Sequence, residues 1–160
     1  MHLLPLIRSF RAVHANDLNP ASYKYLVSNM KTNHCEKHLN PYNMDGRDFV
    51  LSLVDRGVHF TEAIMNLPQN ATDFLDVFIG LARRKDKQGN SVFAVAADAA
   101  DAADAAARVS RRLLPRIHVY AFSTADDPVK DIAERSAGIM QCDPAILGLG
   151  KLVSSPPWVM

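Results

Sequence analysis

The stretch Arg11-Ala12-Val13-His14-Ala15-Asn16-Asp17-Leu18-Asn19-Pro20 decides how this chain is read. Residues 12–15 are small and partly β-branched, which suits a short buried strand. The following run, Ser22-Tyr23-Lys24-Tyr25-Leu26-Val27-Ser28-Asn29-Met30, has apolar residues at helical spacing. Asp17 therefore stands where a strand ends and a helix is about to begin. Open α/β sheets bind ligands at that place, and an acid there commonly accepts hydrogen bonds from ribose hydroxyls. Asn19 can cap the helix, and Pro20 suits a first turn that needs no backbone N–H. The plainer alternative is that Asp17 and Asn19 only turn and cap the chain.

Working outward, residues 11–16 are expected to form the first strand and 21–32 a helix. Residues 33–37 read as a polar connection. Residues 38–44 read as a short strand whose pairing Pro41 puts in question. Asp45-Gly46 is a turn signal, and 47–56 form a helix with Phe49, Val50, Leu53 and Val54 on one face. Residues 62–66 are a third strand, stopped by Leu67-Pro68. Asn70 is expected to cap a helix over 71–84, with Phe74, Leu75, Phe78 and Leu81 as its apolar stripe. A charged loop, 83–90, leads to an Ala/Asp run over 94–107, read as a solvated helical insertion. Residues 116–123 are a fourth strand with Ile117, Val119 and Ala121 inward, and Pro128 opens a helix reaching residue 140. The segment 3–10 reads as the tail of a helix, and 143–160 as partly strand and partly loose. Alternation of strands and helices points to an α/β fold with a mostly parallel sheet.

Composition narrows the class only slightly. With 160 residues, 48% hydrophobic and 22% charged, the chain has one domain's worth of core. A net charge of +1 argues neither for nor against nucleic acid. No apolar run approaches a membrane span, and the first eight residues lack a small-residue cleavage site. Cys35 and Cys142 are isolated, so a reduced, intracellular setting is the simpler expectation. His34-Cys35-Glu36-Lys37-His38 lacks a second ligand pair and reads as a polar loop, not a metal site. Asp98, Asp101 and Asp104 share a helix face but lack supporting ligands.

Four short motifs carry a resemblance. They are Asn16-Asp17-Leu18-Asn19-Pro20 with its Tyr23-Lys24-Tyr25-Leu26 helix; Met44-Asp45-Gly46-Arg47-Asp48-Phe49; Met65-Asn66-Leu67-Pro68; and His118-Val119-Tyr120-Ala121-Phe122-Ser123. In this order they resemble the eukaryotic tRNA (guanine-37 N1)-methyltransferase family. The resemblance implies a Rossmann-like domain, S-adenosylmethionine as methyl donor and tRNA as substrate. Asp17 and Asn19 then look like the family's ribose-side residues, and Asp45 with Gly46 like its adenine side. Asn66 and Pro68 look like its junction of cofactor methyl and target base. Asn66 can position guanine but cannot deprotonate N1. Arg83, Arg84, Lys85 and Lys87, with Arg108, Arg111, Arg112 and Arg116, are candidates for tRNA phosphates; the plainer reading is a solvated helix end and loop. The compartments implied are the cytoplasm, with the mitochondrial matrix and nucleus beside it.

The chain also departs from the family pattern. Its first glycine is Gly46, so no glycine-rich turn precedes Asp17. The family's glycine loop, its catalytic base and a nearby arginine fall upstream of the matching region. Its closing Ala-Pro-Asn-Lys-like hairpin is not recognisable in 147–160. The whole chain is therefore read as a partial, incomplete Rossmann-like domain lacking the glycine-loop strand, and as inactive alone. The strands of Asp17 and Asn66 are then expected either to pair directly or to leave open edges. The alternatives are a non-catalytic remnant binding RNA or a partner, and a methyltransferase for another planar nitrogen.

Overall fold

The computed structural model describes residues 11–67, 70–93 and 114–142. The segment 3–10, Pro68, the Ala/Asp run, Arg108, Arg111, Arg112 and the tail 143–160 lie outside the described residues. The chain divides into two compact units, Met1–Gly57 and Val58–Met160. The described strands form two separate two-stranded sheets, both parallel. The architecture is thus mixed α/β with parallel pairing, and β1 and β3 do not share a ladder.

In the first unit the order is β1 (Val13–Asn16), α1 (Pro20–Thr32), β2 (Leu39–Tyr42) and α2 (Gly46–Asp55). The β1–β2 register runs from Val13 opposite Leu39 to Asn16 opposite Tyr42. Pro41 does not spoil it. The Val13 N–H donates to His38 O at 2.7 Å and the Asp17 N–H to Tyr42 O at 3.3 Å. In a parallel ladder that phase assigns the donors of β2 to Asn40 and Tyr42. The nitrogen of Pro41 then lies on the far edge, where the missing N–H removes no ladder bond. The connection before β2 is less polar inside than its composition suggests. Cys35 is 2% exposed, its Sγ donates to Asn33 O at 3.3 Å, and His34 turns the chain with φ 53°. Leu39, Leu53 and Val54 are the other buried apolar residues among those described in this unit. The expected face of α2 is therefore half right: Leu53 and Val54 are buried, Phe49 and Val50 only partly.

A polar–aromatic cluster sits beside this core. His14 Nδ1 and Tyr42 Oη are 3.1 Å apart, and Arg56 Nη2 donates to the same hydroxyl at 3.0 Å. The Arg56 guanidinium also lies over the Tyr42 ring, 5.2 Å from its centroid. Phe49 meets that ring at 5.1 Å.

The second unit runs β3 (Glu62–Asn66), two 3-10 segments (Ala71–Phe78 and Leu81–Arg83), β4 (Arg116–Tyr120) and α3 (Pro128–Met140). β3 pairs with β4 from Glu62 opposite Arg116 to Asn66 opposite Tyr120. Ile117 and Val119 alternate inward as expected, but the strand ends at Tyr120, not at residue 123. Pro128 opens α3 as expected, and the Asp127 side chain caps it by accepting from the Lys130 N–H at 3.0 Å.

The expected helix over 71–84 is corrected. Ile79 is extended and Gly80 is left-handed, with φ 70°, so the helical path breaks there. Asn70 makes no side-chain cap bond. Ala71, Thr72, Leu75, Val77 and Phe78 are all buried, which is more than one helical stripe can supply. Tertiary burial therefore sets the path of this segment. α3 packs on it through Ala133, Ser136 and Ala137, and Arg135 Nη2 donates to Thr72 Oγ1 at 3.1 Å. Beyond Arg83 the chain makes a hairpin closed by the Lys85–Ser91 bridge. Val92 and Phe93 then return to the core with 0% and 1% exposure.

His14 gives the first unit a measurable acid sensitivity. Burial, and secondarily the charge of Arg56, hold its pKa below the ordinary histidine value of 6.5. The unfolded chain then binds the proton more readily than the native state does. The His14 contribution is fully present above pH 6.5 and fades as pH falls through the lowered native value. Urea midpoints between pH 7.5 and pH 5 should fall further for the wild type than for His14→Gln. Parallel curves for the two proteins would rule out this origin of acid sensitivity.

Candidate functional site

The two acids singled out at the strand ends belong to the same unit and stand on adjacent strands. Asp17 follows β1 directly, and Asp45 lies three residues beyond β2. Asp17 is half-buried, and one of its oxygens, Oδ1, accepts from the Asn19 N–H at 2.8 Å. Asp45 Oδ1 accepts from the Arg47 N–H at 2.8 Å and the Asp48 N–H at 3.4 Å, which makes Asp45 the N-cap of α2. Gly46 is accordingly the first helical residue, not the second half of a free turn. The turning and capping alternative is thus realised at both acids. It uses one oxygen of each. The second oxygen accepts no bond from a protein group among the described residues, so each carboxylate keeps a free acceptor. Asn19 is more fully committed, because its Oδ1 caps α1 by accepting from the Ala21 N–H at 2.9 Å.

Two asparagines that the sequence reading passed over lock these loops together. Asn16 Nδ2 donates to Met44 O at 2.8 Å, and the Met44 N–H donates back to Asn16 Oδ1 at 3.1 Å. The side-chain amide therefore does what another residue pair of the ladder would do. Asn43 Nδ2 donates to the carbonyls of Asp17 and Leu18, at 2.7 and 3.0 Å. Each loop thus holds the other across a separation of 25 to 28 residues. The usable signal was an amide placed at a strand's last residue and another just past its neighbour. Both side chains can satisfy backbone groups that the ladder leaves unpaired.

Asn66 belongs to the second unit. It is the last residue of β3, is exposed, and stands opposite Tyr120. Residues 62, 64 and 66 share one strand face with 116, 118 and 120. At the far end of that face His118 Nε2 lies 2.8 Å from Glu62 Oε2, and Arg116 Nη1 lies 3.7 Å from Glu62 Oε1. The middle and the Asn66 end are open, with Ile64 58% and Tyr120 60% exposed. Leu67 continues the chain in an exposed position. Pro68, the other residue of the expected junction, is outside the described residues.

An S-adenosyl nucleoside calls for two acceptors, one for a ribose diol and one for an exocyclic amine. The free carboxylate oxygens of Asp17 and Asp45, on loops that cannot drift apart, fit that demand. No site residue among Asp17, Asp45 and Asn66 is shielded from water strongly enough to count as buried.

Known proteins were compared with the chain on this basis. The family model described as the TRM5/TYW2 methyltransferase domain matches residues 4–109. A tRNA (guanine(37)-N(1))-methyltransferase of Phytophthora infestans is 36% identical over 137 residues, covering 86% of this chain and 27% of that protein. One of Vitis vinifera is 36% identical over 130 residues, covering 80% of this chain and 18% of that protein. One of Dictyostelium discoideum is 53% identical over a shorter 66 residues, covering 41% of this chain and 14% of that protein. No solved structure matches. The chain spans about a quarter or less of the length of these curated relatives. With two thirds of its length inside the family model, and parallel strands ending in the motifs that carry the resemblance, the chain belongs to the TRM5/TYW2 methyltransferase-domain family.

Proposed function

We propose that this chain forms part of an enzyme that transfers a methyl group from S-adenosylmethionine to N1 of guanine 37 in tRNA. The observation that carries the reading is the asparagine-locked pair of acids at the ends of β1 and β2. In this reading Asp17 accepts from the ribose hydroxyls and Asp45 from the adenine amine. Asn19 and Gly46 shape the two loops by starting α1 and α2. Asn66, with Pro68 after it, positions the target base at the end of β3. The cofactor supplies an activated methyl on sulfur, and the site's task is to hold that methyl in line with N1.

Asn66 cannot take the N1 proton, because a neutral amide is no base at ordinary pH. The chain has no glycine before Gly46 to let backbone approach the cofactor beside Asp17. The resemblance, in which the glycine loop and the catalytic base fall upstream of the matching region, supports reading the domain as an incomplete Rossmann-like sheet. On that reading the chain alone does not methylate tRNA. The setting that goes with it is intracellular: cytoplasm, mitochondrial matrix or nucleus.

The direct test is mass spectrometry of tRNA nucleosides from cells lacking this gene. Loss of 1-methylguanosine beside the anticodon is the expected result. Unchanged 1-methylguanosine with loss of a different base methylation would transfer the chain to another target nitrogen. Unchanged methylation throughout would leave a non-catalytic binding role.

Two substitutions test the residue roles in a fusion that places a relative's upstream methyltransferase segment before Met1. Asp17→Ala removes a charged acceptor. Hydrogen bonds to charged groups contribute about 1.5–3 kcal/mol each, so affinity for S-adenosylmethionine should drop at least about tenfold. Calorimetric titration reads this, and unchanged affinity would reduce Asp17 to a turn residue. Asn66→Ala should lower turnover on tRNA far more than it lowers cofactor affinity, since misplacement near reacting atoms costs rate. Equal losses in both would indicate general damage at the end of β3.

A further inference from the structure

Among the described residues of the unit Val58–Met160, one short stretch holds cations that form no ion pair. Among its described residues the Lys and Arg side chains are Arg83, Arg84, Lys85, Lys87, Arg116, Lys130 and Arg135. Arg116 faces Glu62 at 3.7 Å, Lys130 faces Glu134 at 3.8 Å, and Arg135 faces Asp131 at 3.5 Å. Arg83, Arg84, Lys85 and Lys87 have no ion pair among the described residues. All four unpaired cations therefore fall in one segment of five positions. Arg83, Lys85 and Lys87 are exposed, and Arg84 is partly covered.

The segment is a solvated helix end and loop, as the plainer reading of its charges has it, and the loop has a defined shape. The Lys85–Ser91 bridge closes a hairpin, and inside it the Asp86 N–H donates to Asn90 O at 2.9 Å. The Gly89 N–H donates to Asp86 O at 2.9 Å, with Gly89 in the left-handed region at φ 85° that a tight turn requires. The Asp86 carboxylate is drawn into the turn. Its Oδ1 accepts from the N–H groups of Gln88 and Asn90, at 2.9 and 2.8 Å, and its Oδ2 from Asn90 Nδ2 at 3.1 Å. The one acid of the segment thus holds the loop's shape and forms no ion pair with these four cations. Below the hairpin, Leu81, Val92 and Phe93 are each 2% exposed or less. Phe93 is wedged against His59 and Phe60, with ring centroids at 5.2 and 5.1 Å. The four cations therefore lie on a stretch whose two ends are both anchored in core.

We propose that the segment 83–90, the end of the second 3-10 segment and the hairpin that follows it, is an RNA-backbone contact of this chain, with Arg83, Lys85 and Lys87 each engaging a phosphate. Identification of the polyanion as RNA rests on the tRNA methyltransferase reading above. The contact is sequence-independent, because phosphate contacts carry no sequence information. A pre-shaped turn makes it stronger than four mobile cations would, since less freedom is lost on binding.

The test uses the 160-residue chain and unmodified tRNA, with affinity measured by filter binding across a salt series. Replacing Arg83, Lys85 and Lys87 together by Ala removes three phosphate contacts. The slope of log affinity against log salt should become shallower by about 2 to 3, and affinity at 0.1 M salt should fall at least about tenfold. A charge-keeping variant, Arg83→Lys with Lys85→Arg and Lys87→Arg, should bind as the wild type does, which separates loss of charge from loss of fold. An unrelated RNA of the same length should show the same change in slope. An unchanged slope in the triple Ala variant overturns the proposal, as does a wild-type chain that does not bind tRNA at low salt. Neither result bears on the cofactor reading, which the Asp17 titration decides independently.

Discussion

Two hydrogen bonds between the Asn16 side-chain amide and the Met44 backbone are the constraint on which the first unit's proposed site depends. Parallel strands cannot be joined by a tight turn, so β1 and β2 meet only through a long crossover that contains α1. The ladder itself is four residues long and stops at Asn16 and Tyr42. Past that point nothing in the sheet would keep the Asp17 and Asp45 loops in register. Asn16 extends the pairing by side chain, and Asn43 returns two more bonds to the opposite loop. Such bonds contribute about 1 kcal/mol each net, little for stability but enough to define one loop arrangement. Precision in the placement of two acceptors matters more to a nucleoside site than the energy of the clamp.

Capping and ligand binding are not competing uses of these acids. A carboxylate has two oxygens, and each acid uses Oδ1 to fix the loop in which it stands. The backbone bond orients the side chain, so the other oxygen is held at a defined angle without cost at the moment of binding. A Ser or Thr in the same position could cap but would bring no charge. On the proposed reading, the turn role and the ribose role of Asp17 therefore rest on different oxygens of one side chain.

The second unit is organised differently. The described residues that follow β3, Ala71 through Phe93, form no α-helix and depend on buried side chains at irregular spacing. Gly80 is the point where the path turns. After Gly80 the path leads through four cations into a hairpin whose flanking residues, Leu81, Val92 and Phe93, are buried. The apolar base and the inward-turned Asp86 give this solvated run of basic residues a defined shape.

Some of this was determined by the amino-acid sequence alone. Short β-branched runs followed by caps and prolines placed β1, α1, β3 and α3 to within a residue or two, since local sterics and backbone satisfaction act over one turn. The acid after β1 and the Asp-Gly after β2 marked the candidate loops for the same reason. Pairing of β2 despite Pro41 was decided only by tertiary structure, because the phase of the ladder, and not the presence of a proline, determines whether a donor is lost. The break at Gly80 and the burial of Val92 and Phe93 were likewise tertiary. A stripe of Phe74, Leu75, Phe78 and Leu81 is compatible with an α-helix, and only contact with α3 and the β4 sheet selects another path. The clamps of Asn16 and Asn43 were invisible in sequence because an amide declares its partner only when a backbone 25 or more residues away is brought beside it.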